Sequence, residues 1–250
     1  MPRNRHSYYI GSTGPQNEAI ITGFRWLIKE AANQDRVGYV VVFTKHELDN
    51  ISHWSQLSPT LNTLHKSGVY QADSVTLNLI TPRDRYISAS GPALVIYGGQ
   101  ELLDFIDSFQ AITSVLYIPW QGQEHADWSA TWNATRLGDD ESQSSEQKEP
   151  LSGIVLSALE SLTKLVNLST GITHPSDREQ AVRSLETLFH KQAQCDPETI
   201  RRQLIRLDWK PSDAAKVKEI ADMIWDGRRP RKSTGRADEG LWKYWNERAS

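Results

Sequence analysis

The chain has little of several things. Its 250 residues hold one Cys and two Met. One Cys excludes a disulfide framework and every Cys-based zinc module. No apolar run approaches the roughly 18 residues a membrane span needs, and the start, Met1 to His6, has no apolar stretch of a secretory leader. The reading is a cytoplasmic protein without membrane attachment. Charge of one sign is also missing: 28 Lys and Arg face 31 Asp and Glu, a net of −3. Catalytic signatures are absent too. There is no G-x-S-x-G elbow, no H-E-x-x-H and no metal-ligand spacing. Nothing names a cofactor, and the reading leans away from an enzyme.

What is present divides the chain. Residues 139–149 carry five acids, one base and no apolar residue, which is linker chemistry. Residues 1–138 have a net of −2 and residues 151–250 a net of +3. The expected organisation is an α/β domain over 1–138, an acidic linker over 139–150, a helical bundle over 151–227, and a basic tail with an aromatic end over 228–250.

Strands and helices alternate in the first part. Val37 to Phe43, Val75 to Ile80, Ala93 to Tyr97 and Val115 to Ile118 are apolar runs suited to strands covered on both faces. A short strand is expected near Tyr86–Ser88, and a closing helix over His125–Leu137. Ile20, Phe24, Leu27 and Ala31 share one helical face. This order predicts a Rossmann-like, open, mostly parallel sheet with right-handed crossovers. The second part shows only helical periodicity. Ser176-Asp177-Arg178-Glu179 reads as a capping box, Asp196-Pro197 as a cap with Pro at the first position, and Gly227 as a helix end.

Two stretches invite a functional reading. Gly11-Ser12-Thr13-Gly14-Pro15-Gln16-Asn17 joins the first strand to the first helix. Glycines let a backbone approach an anion, hydroxyls donate, and a helix N-terminus favours negative charge. The stretch matches neither G-x-x-x-x-G-K-[ST] nor G-x-G-x-x-G, and a tight turn capped by Asn17 explains it as simply. In a parallel sheet the neighbouring strand ends join the same crevice. They contribute Lys45, Gly98-Gly99 and Trp120. Lys45 suits a phosphate; Trp120 suits a base or simple packing. The first loop also resembles that of CARF-type sensor domains, which bind cyclic oligoadenylates. There, too, a strand passes through Gly-, Thr- and Pro-containing residues into a helix. The resemblance covers about twenty residues, and no second motif of that family follows.

The other stretch is basic: Arg228, Arg229, Arg231, Lys232 and Arg236, followed by Trp242 and Trp245. Such cations neutralise phosphates and such rings stack on bases; a solvated linker before a packed segment is the plainer account. His46, Glu47, Asp49 and His53 form a cluster placed in a polar loop, and Asp104 and Asp107 fall on the wet face of their helix. The leading expectation is a non-catalytic ligand-binding or regulatory protein. It holds an anionic, nucleotide-like ligand at the first loop, and its helical module meets a protein partner or a second copy. The alternatives are an enzyme on a nucleotide or related phosphate compound, with Glu18, Glu47 or Asp49 as acid or base, and nucleic-acid binding through residues 228–236.

Overall fold

The computed structural model describes residues 3, 5–12, 14–84, 87–138 and 151–249. The linker expected over 139–150 lies outside them, as do Thr13 and Tyr86. The chain divides into two units, one of residues 4–145 and one of residues 146–250 with residues 1–3.

The first unit is a mixed α/β structure. Its strands are β1 (His6–Tyr9), β2 (Val37–Val41), β3 (Val69–Ala72), β4 (Val75–Ile80), β5 (Gly91–Ile96), β6 (Ile112–Ile118) and β7 (Thr135–Arg136). They form one seven-stranded sheet in the order β3-β4-β2-β5-β6-β1-β7. All neighbours pair in parallel except β3 with β4. The helices between them are α1 (Asn17–Ala32), α2 (Lys45–Ser52), α3 (Ser58–Ser67), α4 (Gly99–Asp107) and α5 (Ala126–Trp132).

Strand alternation assigns the helices to faces. Val40, Leu94, Ile96, Leu116 and Ile118 join one core with Phe24 and Leu27 of α1, Leu48 and Ile51 of α2, and Leu61 of α3. The intervening residues Val41, Val95 and Tyr117 lie in register across β2, β5 and β6 and are wholly buried. Their face carries α4 and α5: Trp128 of α5 meets the Tyr117 ring edge-on at 6.3 Å, and both Trp128 and Trp132 donate to Asp107 of α4. The chain therefore leaves β2 toward one face and leaves the adjacent β5 toward the other. That divergence opens a crevice at the carboxyl ends of the two strands.

Several local expectations change. Residues 45–52 are helical because Thr44 caps them, accepting the Glu47 N–H at 3.3 Å. Asp107 is 2% exposed. It pairs with Arg5 at 2.7 Å and accepts both indole N–H groups, so it is the centre of a buried cluster instead of wet surface. The closing helix stops at Trp132, where Asn133 turns left-handed, and the chain returns as β7.

The second unit is helical throughout its described residues: α6 (Gly153–Leu165), α7 (Pro175–His190), α8 (Pro197–Arg206), α9 (Pro211–Trp225) and α10 (Glu239–Ala249). Asp196 accepts the Glu198 and Thr199 N–H groups and starts α8. Helix α7 starts two residues earlier than the Ser176 box implies, with His174 as cap and Pro175 at its first position. Proline's fixed φ suits that place. Helix α10 packs on α6 and α7, so residues 239–249 belong to the bundle and are not a tail.

Candidate functional site

An open pocket of about 540 Å³ lies at the β2/β5 divergence. Helix α2 supplies Glu47, Asn50 and Ile51, and the turn that follows it Trp54; the turn after β5 supplies Tyr97, Gly98 and Gly99; the segment after β6 supplies Trp120 and Glu124. Its size is that of small-molecule sites.

The turn after β5 is unusual. Tyr97, Gly98 and Gly99 follow one another with φ of 58°, 86° and 60°. Glycine tolerates this region; a side chain there costs roughly 1–2 kcal/mol. Tyr97 is kept there by burial, and its hydroxyl donates to the Gly14 carbonyl at 3.4 Å. Burial pushes the Tyr97 phenol up, opposed by a bond from the Gln16 backbone.

Glu124 is anchored from two sides. Its Oε2 accepts the Tyr117 hydroxyl at 3.0 Å and the Trp120 N–H at 3.0 Å. Burial first, and then the charge of Glu124, push the Tyr117 phenol well above its ordinary range. Burial likewise lowers the His125 pKa, against the pull of Glu124; its ring stacks on Tyr9 with centroids 4.0 Å apart. Glu47 Oε2 accepts the Phe43 N–H at 3.1 Å. In both glutamates Oε1 has no partner among the described residues.

The first loop borders this pocket without lining it. The Gly14 N–H, expected to face an anion, donates instead to the Trp120 carbonyl at 2.7 Å. Asn17 does not cap its own helix; its Oδ1 accepts from Ser55 Oγ at 3.3 Å and the Gln56 N–H at 2.8 Å. No side chain caps α1. The Ser12 hydroxyl is buried without a partner among the described residues. Arg136, at the end of β7, lies so close over Gly11 that a Cβ there would run into its guanidinium. Thus Gly98, Gly99 and Trp120 line the pocket, and the first loop is its flank through Gly14, which bonds to Tyr97 and Trp120 of the lining; Gly11 and Ser12 lie further along that loop. Lys45 stands exposed at the first position of α2 and is not in the lining.

Sequence reasoning passed over Trp54, Tyr97 and Arg136. Thr44-x-x-Glu47 was a legible sign for α2, and hence for Glu47 and Trp54 on one wall. Arg136 had no local sign, because its place depends on β7 pairing with β1.

In the helical unit the basic stretch is partly neutralised. Arg228 pairs with Asp226 at 2.8 Å and Lys232 with Glu179 at 3.5 Å, and Arg229 rests against Gly235. Arg231 and Arg236 are exposed without an ion pair among the described residues. Trp245 is wholly buried, so its ring offers no face to a base. Trp242 is half-buried with Lys191 Nζ 5.9 Å from its ring centre. The loop itself folds onto Glu186, which accepts the Ser233 hydroxyl, the Thr234 N–H and hydroxyl at 3.0 Å each, and the Gly235 N–H at 3.1 Å. Burial raises the Glu186 pKa, but these donors outweigh it and hold it below the usual carboxylate range.

Residues 151–246 match a family described as a domain of unknown function (DUF1889). That segment begins just before α6 and runs into α10; the pocket lies wholly outside it. No curated protein and no solved structure matches the chain.

Proposed function

We propose that the α/β unit is a Rossmann-like, non-catalytic small-molecule-binding module, and that the helical unit passes its state to a protein partner or a second copy. The ligand sits at the carboxyl edge of the sheet. Its anionic group rests on the flank made by Gly11, Ser12 and Arg136, and its body enters the pocket beside Trp120. The observation that carries this is the run Tyr97-Gly98-Gly99. A bulky residue held left-handed costs stability, and such positions cluster at ligand sites. Here it forms the floor of a pocket at the divergence of two strands. Binding without turnover is favoured because one oxygen of each pocket carboxylate is already held by donors of the protein's own chain.

The test is titration with AMP against adenosine, followed by backbone amide signals within residues 11–16, Pro15 having none. AMP should shift them saturably and adenosine at least tenfold more weakly. Arg136→Ala should weaken AMP several-fold. Equal binding of both compounds, or no effect of Arg136→Ala, overturns the anion part of the proposal. Glu47 also gives a specific reason to test the enzymatic reading, since of the three acids considered it alone lines the pocket. Turnover of AMP or ADP that is lost in Glu47→Gln would replace binding with catalysis.

A further inference from the structure

The pocket and its flank differ in charge. The flank has Arg136. Among the described residues the lining has Glu47 and Glu124 and no Lys, Arg or His. A phosphate placed inside would meet two like charges and be repelled by both. The aromatic rings point the same way. Trp54 and Trp120 are large apolar side chains left 39% and 44% exposed. The Tyr97 ring meets Trp120 edge-on, with centroids 5.0 Å apart and planes at 88°. The two rings are therefore not stacked face to face, and Trp54 and Trp120 keep exposed aromatic surface at the pocket. An organic cation is attracted to aromatic faces and is not disfavoured by the loss of hydrogen bonds that a hydrated metal ion would suffer.

We infer that the pocket is a cage for an organic ammonium group, with Trp54, Trp120 and Tyr97 as walls and Glu47 and Glu124 as counter-charges. This deepens the function proposed above and rests on it in taking the pocket as the ligand site. It adds that the ligand carries positive charge at the end away from Arg136. Glu124 is suited to the role because it lines the pocket and Tyr117 and Trp120 engage only one of its oxygens, the other having no partner among the described residues.

The probe is choline, compared with its neutral isostere 3,3-dimethyl-1-butanol at matched ionic strength. The readout is the indole N–H signals of Trp54 and Trp120 in the full chain, assigned through Trp54→Phe and Trp120→Phe. Choline should move both signals saturably, and the isostere should bind at least tenfold more weakly. Glu47→Gln combined with Glu124→Gln should weaken choline at least fivefold and leave the isostere unchanged. If that pair lowers stability, Glu124→Gln alone should weaken choline at least twofold. Equal binding of choline and the isostere overturns the cage in favour of a plain apolar cleft. Indole signals moved by AMP and untouched by choline overturn it too, while leaving the binding function standing. Silence of both indoles and of residues 11–16 toward every compound removes both readings.

Discussion

Glu124 and Glu186 are two solutions to one problem. Each is a carboxylate drawn out of bulk water by the fold, and each takes bonds from a neighbouring backbone N–H and a hydroxyl. At Glu186 four donors from Ser233, Thr234 and Gly235 cover both oxygens, and the residue is 3% exposed. At Glu124 two donors share one oxygen, and the residue borders an open pocket. The first carboxylate is consumed by its own chain and can only stabilise. The second retains bonding capacity at the border of the pocket. Whether a buried-side carboxylate serves structure or recognition thus depends on which of its acceptor sites the chain leaves open.

Asp107 extends the closed class and should show the largest effect. Arg5, Trp128 and Trp132 all address it, and the Arg5 guanidinium lies 3.7 Å from the Trp132 ring centre. Asp107→Ala leaves a buried guanidinium without its counter-charge, at a cost of about 3–5 kcal/mol. Urea unfolding of the full chain, followed by probes in the α/β unit, measures it. A loss below about 1 kcal/mol would place Asp107 with exposed ion pairs and break the comparison.

Glu186→Gln comes next. It keeps the volume but forfeits charge-assisted bonds worth about 2–3 kcal/mol together. The pH dependence identifies the charge. Folding lowers the Glu186 pKa, so the unfolded chain takes up the proton first as pH falls. The contribution is complete above the ordinary glutamate range, near about 4.3, and drains away as pH drops toward the depressed folded value. The gap in stability between the natural chain and Glu186→Gln should therefore be widest at pH 7 and narrow steadily toward pH 3. A gap that is constant over that range would assign the effect to packing.

Gly98→Ala tests the turn that shapes the open site. At φ 86° a Cβ is strained, and it would also press on Leu102. The expected cost is about 1–2 kcal/mol, with the indole signals of Trp120 displaced. Unchanged stability would mean that the turn relaxes and that the pocket floor is not held in place.

The layers of the fold were legible because they rest on local pattern. Continuous apolar runs such as Val37–Phe43 suit strands with both faces covered, and the Asp196-Pro197 start of α8 follows from cap chemistry. The short edge strands β3 and β7 escaped because four and two residues respectively carry too little periodicity. At the site, Gly98, Gly99 and Trp120 were found because strand ends converge in any parallel sheet. Glu186 had no sign at all: its donors come 47 residues and more along the chain. Asp107 looked like a polar-face residue because its partner Arg5 lies on the far side of the first unit's sequence. Charge compensation over such separations is a property of the packed state alone.

Trp54→Ala should have the smallest effect on the fold and the clearest on the comparison. A Trp in a core costs about 3–5 kcal/mol when truncated, because its full surface returns to water and a cavity remains. Trp54 is 39% exposed already and follows the last residue of α2 by only two positions, so its ring leaves a surface notch instead of a cavity. Its loss should change stability by no more than about 0.5–1 kcal/mol. Trp209 and Trp128, each 1% exposed, supply the contrast, and truncating either should approach the core value. A Trp54→Ala chain of near-natural stability that no longer responds to choline would show a ring retained for what it meets and not for what it packs against. A large stability loss would instead make the wall of the pocket part of the core, and the open carboxylate of Glu124 would then face a space that exists only as a by-product of packing.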